Sequence, residues 1–144
     1  MIATGEAQTM TTDYPTAGPS KAMVWTGRVL SGLVILFLMF DAVIKLIGDP
    51  HVAAAMEPLG YPVGLASTIG AIEVVCLALY AIPRTSVLGA VLMTGLLGGA
   101  IATHLRVGSP LFSHVLFGVY VGVMAWGGLY LRDERLRSLF PFRR

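Results

Sequence analysis

Four long apolar stretches, separated by short polar turns, dominate the pattern of hydrophobic and polar positions. They cover residues 25–47, 63–82, 86–104 and 111–131. An α-helix rises about 1.5 Å per residue and the hydrocarbon core of a bilayer is about 30 Å thick, so about 20 apolar residues cross it. The pattern therefore predicts an all-α protein, a membrane-spanning four-helix bundle.

The turns predict how these helices are connected. The turn at Pro83–Ser86 is so short that the second and third helices must be antiparallel neighbours, and Ser86 is the expected N-cap of the third. Gly108–Pro110 forms the next turn. In the longer first connection, Asp49 followed by proline is a typical helix start, so a short interfacial helix is expected over His51–Glu57.

Small residues recur four positions apart in the third and fourth stretches. The pairs are Gly95 with Gly99, Gly98 with Ala102, and Gly118 with Gly122. Helices in lipid are held together by close backbone approach, which small side chains permit. The spacing therefore predicts that these two helices pack tightly on each other or on the rest of the bundle.

Composition supports a membrane protein and excludes several other classes. Hydrophobic residues make up 56% of the 144 residues and charged residues only 12%, whereas a soluble domain is about 25% charged. No basic stripe interleaved with aromatic residues is present, so nucleic acid is not an expected partner. The single cysteine, Cys76, excludes an internal disulfide and a thiolate metal cage.

The distribution of positive charge predicts an orientation. Of the ten Lys and Arg residues, only Lys45 and Arg106 flank one side of the bundle. The other eight flank the opposite side: Lys21, Arg28, Arg84, Arg132, Arg135, Arg137, Arg143 and Arg144. Since Lys and Arg accumulate in cytoplasmic flanks, both termini are expected in the cytoplasm, with the chain in a bacterial inner membrane.

Three regions follow from these patterns. Residues 1–20 are polar, rich in Thr, Pro and Gly, and are predicted to form a disordered tail. Residues 21–135 form the membrane domain, and residues 136–144 form a basic cytoplasmic tail.

Ionisable groups at membrane depth are costly, so each is a candidate functional residue. Asp41 and Lys45 are four residues apart near the outer end of the first helix, where they can pair on one face. Glu73 lies near the middle of the second helix, with Cys76 and Tyr80 on the same face. A carboxylate there either binds a proton or ligand, or makes a purely structural hydrogen bond between helices.

A second group of polar residues lies at the outer ends of the third and fourth helices. It comprises Thr103, His104, Arg106 and His114. With Asp41, Lys45 and Glu73, these residues are predicted to line one cleft that opens on the non-cytoplasmic face, while the inner half of the bundle is almost wholly apolar. His and Arg are also common interfacial anchors, and that alternative is favoured for His114. Haem ligation by the two histidines is not expected, and no metal site is predicted.

Several of these segments are similar to the DoxX-like family of small four-helix membrane proteins. The resemblance covers roughly residues 25–140 and is carried by Phe40–Lys45, Leu59–Pro62, Ile72–Glu73, Ile82–Thr85, Gly98–Arg106 and Trp126–Arg132. It implies Asp41, Lys45, Glu73, His104 and Arg106 as signature positions. It also implies a quinol-oxidase or thiosulfate:quinone oxidoreductase setting, without defining an activity.

Three functions remain open from the sequence. The first is a redox-associated membrane subunit that binds a quinone-like ligand and receives electrons from a redox partner protein, since no redox cofactor is encoded. The second is a non-catalytic scaffold that holds partners through its basic tail. The third, a small proton-coupled transporter using Glu73, ranks last because four short helices leave little room for alternating access unless the protein forms an oligomer.

Overall fold

The computed structural model describes residues 19–62 and 64–139, which form six α-helices and no strand. The helices are α1 (Lys21–Leu46), α2 (Pro50–Met56), α3 (Leu65–Ala81), α4 (Ser86–Arg106), α5 (Phe117–Arg132) and α6 (Glu134–Leu139). A 3₁₀ turn (Glu57–Leu59) follows α2, and a π-helical turn (Leu111–Val115) precedes α5. The predicted all-α class is confirmed.

Three helices are long and apolar enough to cross a bilayer. They are Lys21–Leu46, Ser86–Arg106 and Leu111–Arg132, the last including the π-helical turn. The predicted second span, residues 63–82, corresponds to α3, which is apolar but has only 17 residues. That is the lower limit of spanning length. The protein is therefore an integral membrane protein built as a helical bundle.

The four long helices form a ring in which sequence neighbours are antiparallel. Helix α1 packs against α3 and α5, and α4 also packs against α3 and α5, so α1 and α4 lie on opposite corners. Lys21 and Arg132 mark one end of the bundle, here called the terminal end. The other end carries α2 between α1 and α3 and is called the α2 end.

Glycines fix three of the close helix contacts. A Cβ added to Gly27 would lie 2.8 Å from the Gly128 carbonyl oxygen, so α1 and α5 touch through their backbones. A Cβ on Gly89 would lie 2.2 Å from the Tyr80 nitrogen, which joins α3 to α4. Gly118 contacts the side chain of Ile101 and confirms the predicted close packing of α4 on α5.

Three other glycines of α4 do not take part in close helix packing. A Cβ on Gly95, Gly98 or Gly99 would meet no atom within 4 Å. The four-residue spacing predicted close helix packing at all of these positions. The structure shows it at Gly118, but not at Gly95, Gly98 or Gly99. Spacing cannot distinguish a glycine that a neighbour approaches from one that faces open space.

The core has two parts. The main cluster runs through the bundle and includes Leu77, Tyr80, Met93 and Leu129, each almost fully buried. A smaller cluster at the α2 end joins α2 to the start of α3 and is formed by Val52, Met56 and Ala66. This second cluster holds α2 across the end of the bundle.

Helix caps agree only in part with the sequence. The Asp49 side chain accepts a hydrogen bond from the backbone N–H of His51 at 2.8 Å, as expected for the start of α2. The prediction that Ser86 caps α4 is wrong, because Ser86 is already the first helical residue. Its hydroxyl donates to the Pro83 carbonyl at 3.2 Å, while Thr85 donates to the Leu79 carbonyl at 2.8 Å.

The predicted tails lie largely outside the described residues. Of the predicted disordered tail, residues 1–18 are not described, and Ser20 caps α1 by accepting from the Met23 N–H. The predicted C-terminal tail at 136–144 begins inside α6, where Leu136 is buried. Arg143 and Arg144 lie outside the described residues.

Candidate functional site

Three ionisable side chains from two helices meet in the half of the bundle toward the α2 end. The Lys45 ammonium donates to Glu73 Oε2 at 2.9 Å and also forms an ion pair with Asp41. The side chain of Glu73 is 3% exposed, that of Lys45 19% and that of Asp41 35%. The pairing of Asp41 with Lys45 along one helix face is confirmed, and Glu73 joins it from α3.

A close contact between α1 and α3 brings the three groups together. A Cβ on Gly70 would lie 3.0 Å from both the Ala42 carbonyl oxygen and Lys45 Cβ. Glu73 follows Gly70 by three residues on the same helix face, so it faces α1 one turn further on. The missing side chain at Gly70 therefore allows the Lys45–Glu73 contact.

The cluster of Asp41, Lys45 and Glu73 contains two carboxyl groups and one amine. When all three are ionised, one negative charge is left without a counter-charge inside the cluster. An uncompensated charge away from water is costly. The cluster can therefore bind a proton, or it can offer a carboxylate oxygen and an ammonium N–H to the polar part of a ligand.

The cluster borders a cavity of about 540 Å³ between the long helices. Asp41, Lys45, Glu73 and His104, four of the five predicted site residues, line this cavity. Most of the remaining wall is apolar and comes from α1, α3, α4 and α5, with contributions from the α2 end: Leu38, Met56, Leu59, Leu65, Ile69, Met93, Leu96, Leu97, Ala100 and Phe117. The cavity is therefore mostly apolar, with charged side chains at one place in its wall.

A second set of polar groups lines the cavity toward the α2 end. Tyr61 and Thr103 share a 2.5 Å hydrogen bond between their hydroxyls, and Thr103 donates to the Gly99 carbonyl at 2.9 Å, so Tyr61 is the donor to Thr103. The rings of His104 and His114 meet edge to face, with centroids 5.4 Å apart. Tyr61 was not among the predicted site residues. The structure adds it to the site because the segment after α2 folds back over the cavity.

Arg106 is the predicted site residue that does not line the cavity. Its guanidinium donates to the Leu59 carbonyl at 2.5 Å, and the side chain is otherwise exposed. This bond ties the 3₁₀ turn after α2 to the end of α4. Its contact in the structure is therefore with the segment that covers the cavity.

The half of the bundle toward the terminal end, predicted to be almost wholly apolar, contains one small buried polar network. The Tyr80 hydroxyl donates to the Ala125 carbonyl at 2.7 Å and lies 3.0 Å from the Ser31 hydroxyl. Arg132 donates to the Tyr80 carbonyl at 3.0 Å and lies over its ring. These bonds pair the Tyr80 and Ser31 hydroxyls, while Arg132 Nε is buried without a hydrogen-bond partner. A structural role explains the paired groups.

A family model described as the DoxX-like family matches residues 29–128, which contain every residue of the charged cluster and of the cavity wall. No curated protein and no solved structure matches the chain. Since the match covers more than half of the sequence, the chain belongs to the DoxX-like family.

Proposed function

We propose that this protein is a redox-associated membrane subunit that binds a quinone-like lipophilic molecule in the cavity. The observation that carries the proposal is the position of the Lys45–Glu73 ion pair in the wall of an otherwise apolar chamber inside a membrane bundle. Ligand sites are mostly apolar, with a few polar groups that fix orientation. The cavity has this composition, because its wall is mostly apolar and carries only a few polar side chains.

The size and polarity of the cavity suit a small aromatic head group. Its volume of about 540 Å³ lies within the roughly 300–1,000 Å³ typical of ligand sites. A quinone ring has carbonyl oxygens on opposite sides. Lys45 offers a donor to one of them, and His104 offers a donor to the other from the α2 end.

Proton transfer follows from the same groups. Reduction of a quinone to a quinol consumes two electrons and two protons. In the proposal, electrons arrive from a redox partner protein, while Glu73 and His104 supply protons to the two oxygens. Lys45 stabilises negative charge that develops on the ring before the protons arrive.

The proposal is tested by ligand binding to the purified protein. Wild-type protein is expected to retain quinone through purification and to gain thermal stability when a short-chain quinone is added. Glu73→Gln and Lys45→Met should each reduce that gain, whereas Thr68→Ala, on the exposed face of α3, should not. If extraction finds no quinone and added quinone leaves the melting temperature unchanged, the proposal fails.

We also propose that both termini are cytoplasmic and that the membrane is a bacterial inner membrane. The support is the eight-to-two distribution of Lys and Arg between the two sides. In this orientation the charged cluster and the cavity occupy the half of the bilayer away from the cytoplasm. A ligand would then be bound on the non-cytoplasmic side.

The scaffold alternative depends on the basic C-terminal segment. Two of its arginines are used within the chain: Arg132 donates to the Tyr80 carbonyl, and Arg137 donates to the carbonyls of Tyr130 and Leu131. These hydrogen bonds leave fewer guanidinium groups of the segment available to contact a partner protein. Ligand binding is therefore ranked first.

A further inference from the structure

Helices α3 and α4 touch at the terminal end and separate toward the α2 end. Near their connection, a Cβ on Gly89 would lie 2.2 Å from the Tyr80 nitrogen. Further along α4, a Cβ on Gly95 or Gly99 would meet no atom within 4 Å, although both glycines line the cavity. The two helices therefore leave a gap beside the cavity.

An apolar groove of about 380 Å³ continues from this gap along the outside of the bundle. All of its lining residues are apolar: Ala71, Ile72, Val75, Cys76, Leu92 and Leu96. Leu96 lines both the groove and the cavity. The groove and the cavity are therefore adjacent parts of one surface that runs from the membrane face to the charged cluster.

The other sides of the cavity are more closely packed. The rings of Phe37 and Phe117 lie 5.4 Å apart between α1 and α5. Gly118 contacts Ile101 between α5 and α4. At the α2 end, Leu59 and Tyr61 line the cavity and are bonded to Arg106 and Thr103 of α4. The α3–α4 gap is therefore the side on which the cavity meets lipid.

We infer that the α3–α4 groove is a tail subsite, which holds the single apolar chain of an amphiphile whose polar head binds at Lys45 and Glu73. This inference rests on the proposed function and narrows its ligand to a membrane-dissolved molecule with one polar head and one long apolar tail. This occupant fits because the groove continues into the cavity. The groove joins the head cavity at Leu96 and exposes Ile72, Val75 and Leu92 to the bilayer. The ligand enters sideways from the lipid.

The position of the glycines supplies a test with a matched control. Gly95→Leu adds a side chain to the gap beside the cavity, where the glycine faces open space. Gly98→Leu adds the same side chain to the same helix, also in open space, but Gly98 does not line the cavity. Leu92→Trp fills the groove without touching the head cavity.

The probes are two benzoquinones with the same substituted ring, one without a tail and one with a ten-carbon tail. Binding to the full-length protein in detergent is measured by quenching of tryptophan fluorescence or by calorimetry. Gly95→Leu and Leu92→Trp are expected to weaken the tailed quinone at least about tenfold, which is about 1.4 kcal/mol. Leu92→Trp, which lies outside the head cavity, should leave the tailless quinone within about twofold. Gly98→Leu should leave both quinones unchanged.

Each outcome separates the two proposals. If Leu92→Trp weakens both quinones equally, or weakens neither, the tail subsite is wrong while head binding stands. If wild-type protein binds neither quinone, the proposed function fails and the tail subsite fails with it. The melting temperature of each ligand-free variant shows that a loss of binding is not a loss of folding.

Discussion

Lys45 is the residue on which the candidate site depends, because its ammonium group contacts carboxylates from two helices. It joins Asp41 on its own helix to Glu73 on α3. Neither carboxylate has another cation among its ion-pair partners in the described part of the chain. The amine therefore both compensates charge inside the bundle and connects α1 to α3.

Removing this amine should destabilise the protein more than removing the amine and a carboxylate together. Lys45→Met leaves the buried Glu73 carboxylate without its cation, and breaking a buried pair from one side costs about 3 kcal/mol or more. The double variant Lys45→Met/Glu73→Gln should recover much of that loss. Unfolding of the purified protein in mixed micelles measures both free energies. Equal losses in the single and double variants would contradict this account of the pair.

Asp49 gives a pH-dependent prediction at the start of α2, outside the membrane spans. The backbone N–H of His51, and then its imidazole, hold the pKa of the Asp49 carboxyl below its ordinary value of 3.8. A carboxyl whose pKa is lower in the folded state stabilises that state above the unfolded pKa, and the contribution is lost as the pH falls through the folded pKa. The cap of α2 is therefore expected to weaken only below about pH 4.

Hydrogen exchange of the Val52 and Ala53 amides measures this cap. After correction for intrinsic rates, their protection should be constant from pH 7 to pH 5 and should fall severalfold below pH 4. Asp49→Asn is the matched control, because its amide oxygen can still accept the His51 N–H but does not titrate. The same loss of protection in Asp49→Asn would show that another group is responsible.

At the residue scale, the sequence predicted the polar groups better than their contacts. The i,i+4 spacing was enough to predict the Asp41–Lys45 pair, because helix geometry fixes that contact. The Lys45–Glu73 contact depends on how closely α1 approaches α3 at Gly70, and no local spacing encodes that approach. Tyr61 was not predicted in the site for the same reason: its position is fixed by a hydrogen bond to Thr103 on a distant helix.

At the scale of elements, close contacts at single glycines determine which helices are neighbours. Gly89 provides the sharpest example, because backbone atoms of α3 occupy the space that its side chain would need. Apolar length alone predicted the helices to within a few residues. It could not predict that α1 packs on α3 and α5 rather than on α4, since that choice depends on contacts between distant residues.

Adding one methyl group at Gly89 should therefore separate α3 from α4. Gly89→Ala is expected to cost about 1–3 kcal/mol, the usual penalty for overpacking. The matched control is Gly98→Ala on the same helix, where the added methyl meets nothing and alanine improves helix propensity by up to about 1 kcal/mol. Thermal unfolding in detergent should rank the variants in that order. Equal melting temperatures would contradict the contact.

At the scale of the whole molecule, the proposed topology places α2 on the non-cytoplasmic side of the membrane and the α3–α4 turn on the cytoplasmic side. Single cysteines report it directly once the buried Cys76 has been replaced by alanine. Ala54→Cys on the exposed face of α2 should react with a membrane-impermeant maleimide added to spheroplasts. Pro83→Cys should react only after the membrane is opened. The reverse pattern would overturn the orientation drawn from the positive charges.

The unequal lengths of the helices have a consequence for the surrounding membrane. Helix α1 has 26 residues and α3 has 17, which correspond to about 39 Å and about 26 Å along their axes. A bilayer becomes thinner around a short apolar helix and thicker around a long one, unless the long helix tilts instead. We therefore expect the lipid shell to be thinnest beside α3, next to the groove. A change in lipid acyl-chain length is then expected to affect the α3 face of the protein more than its other faces.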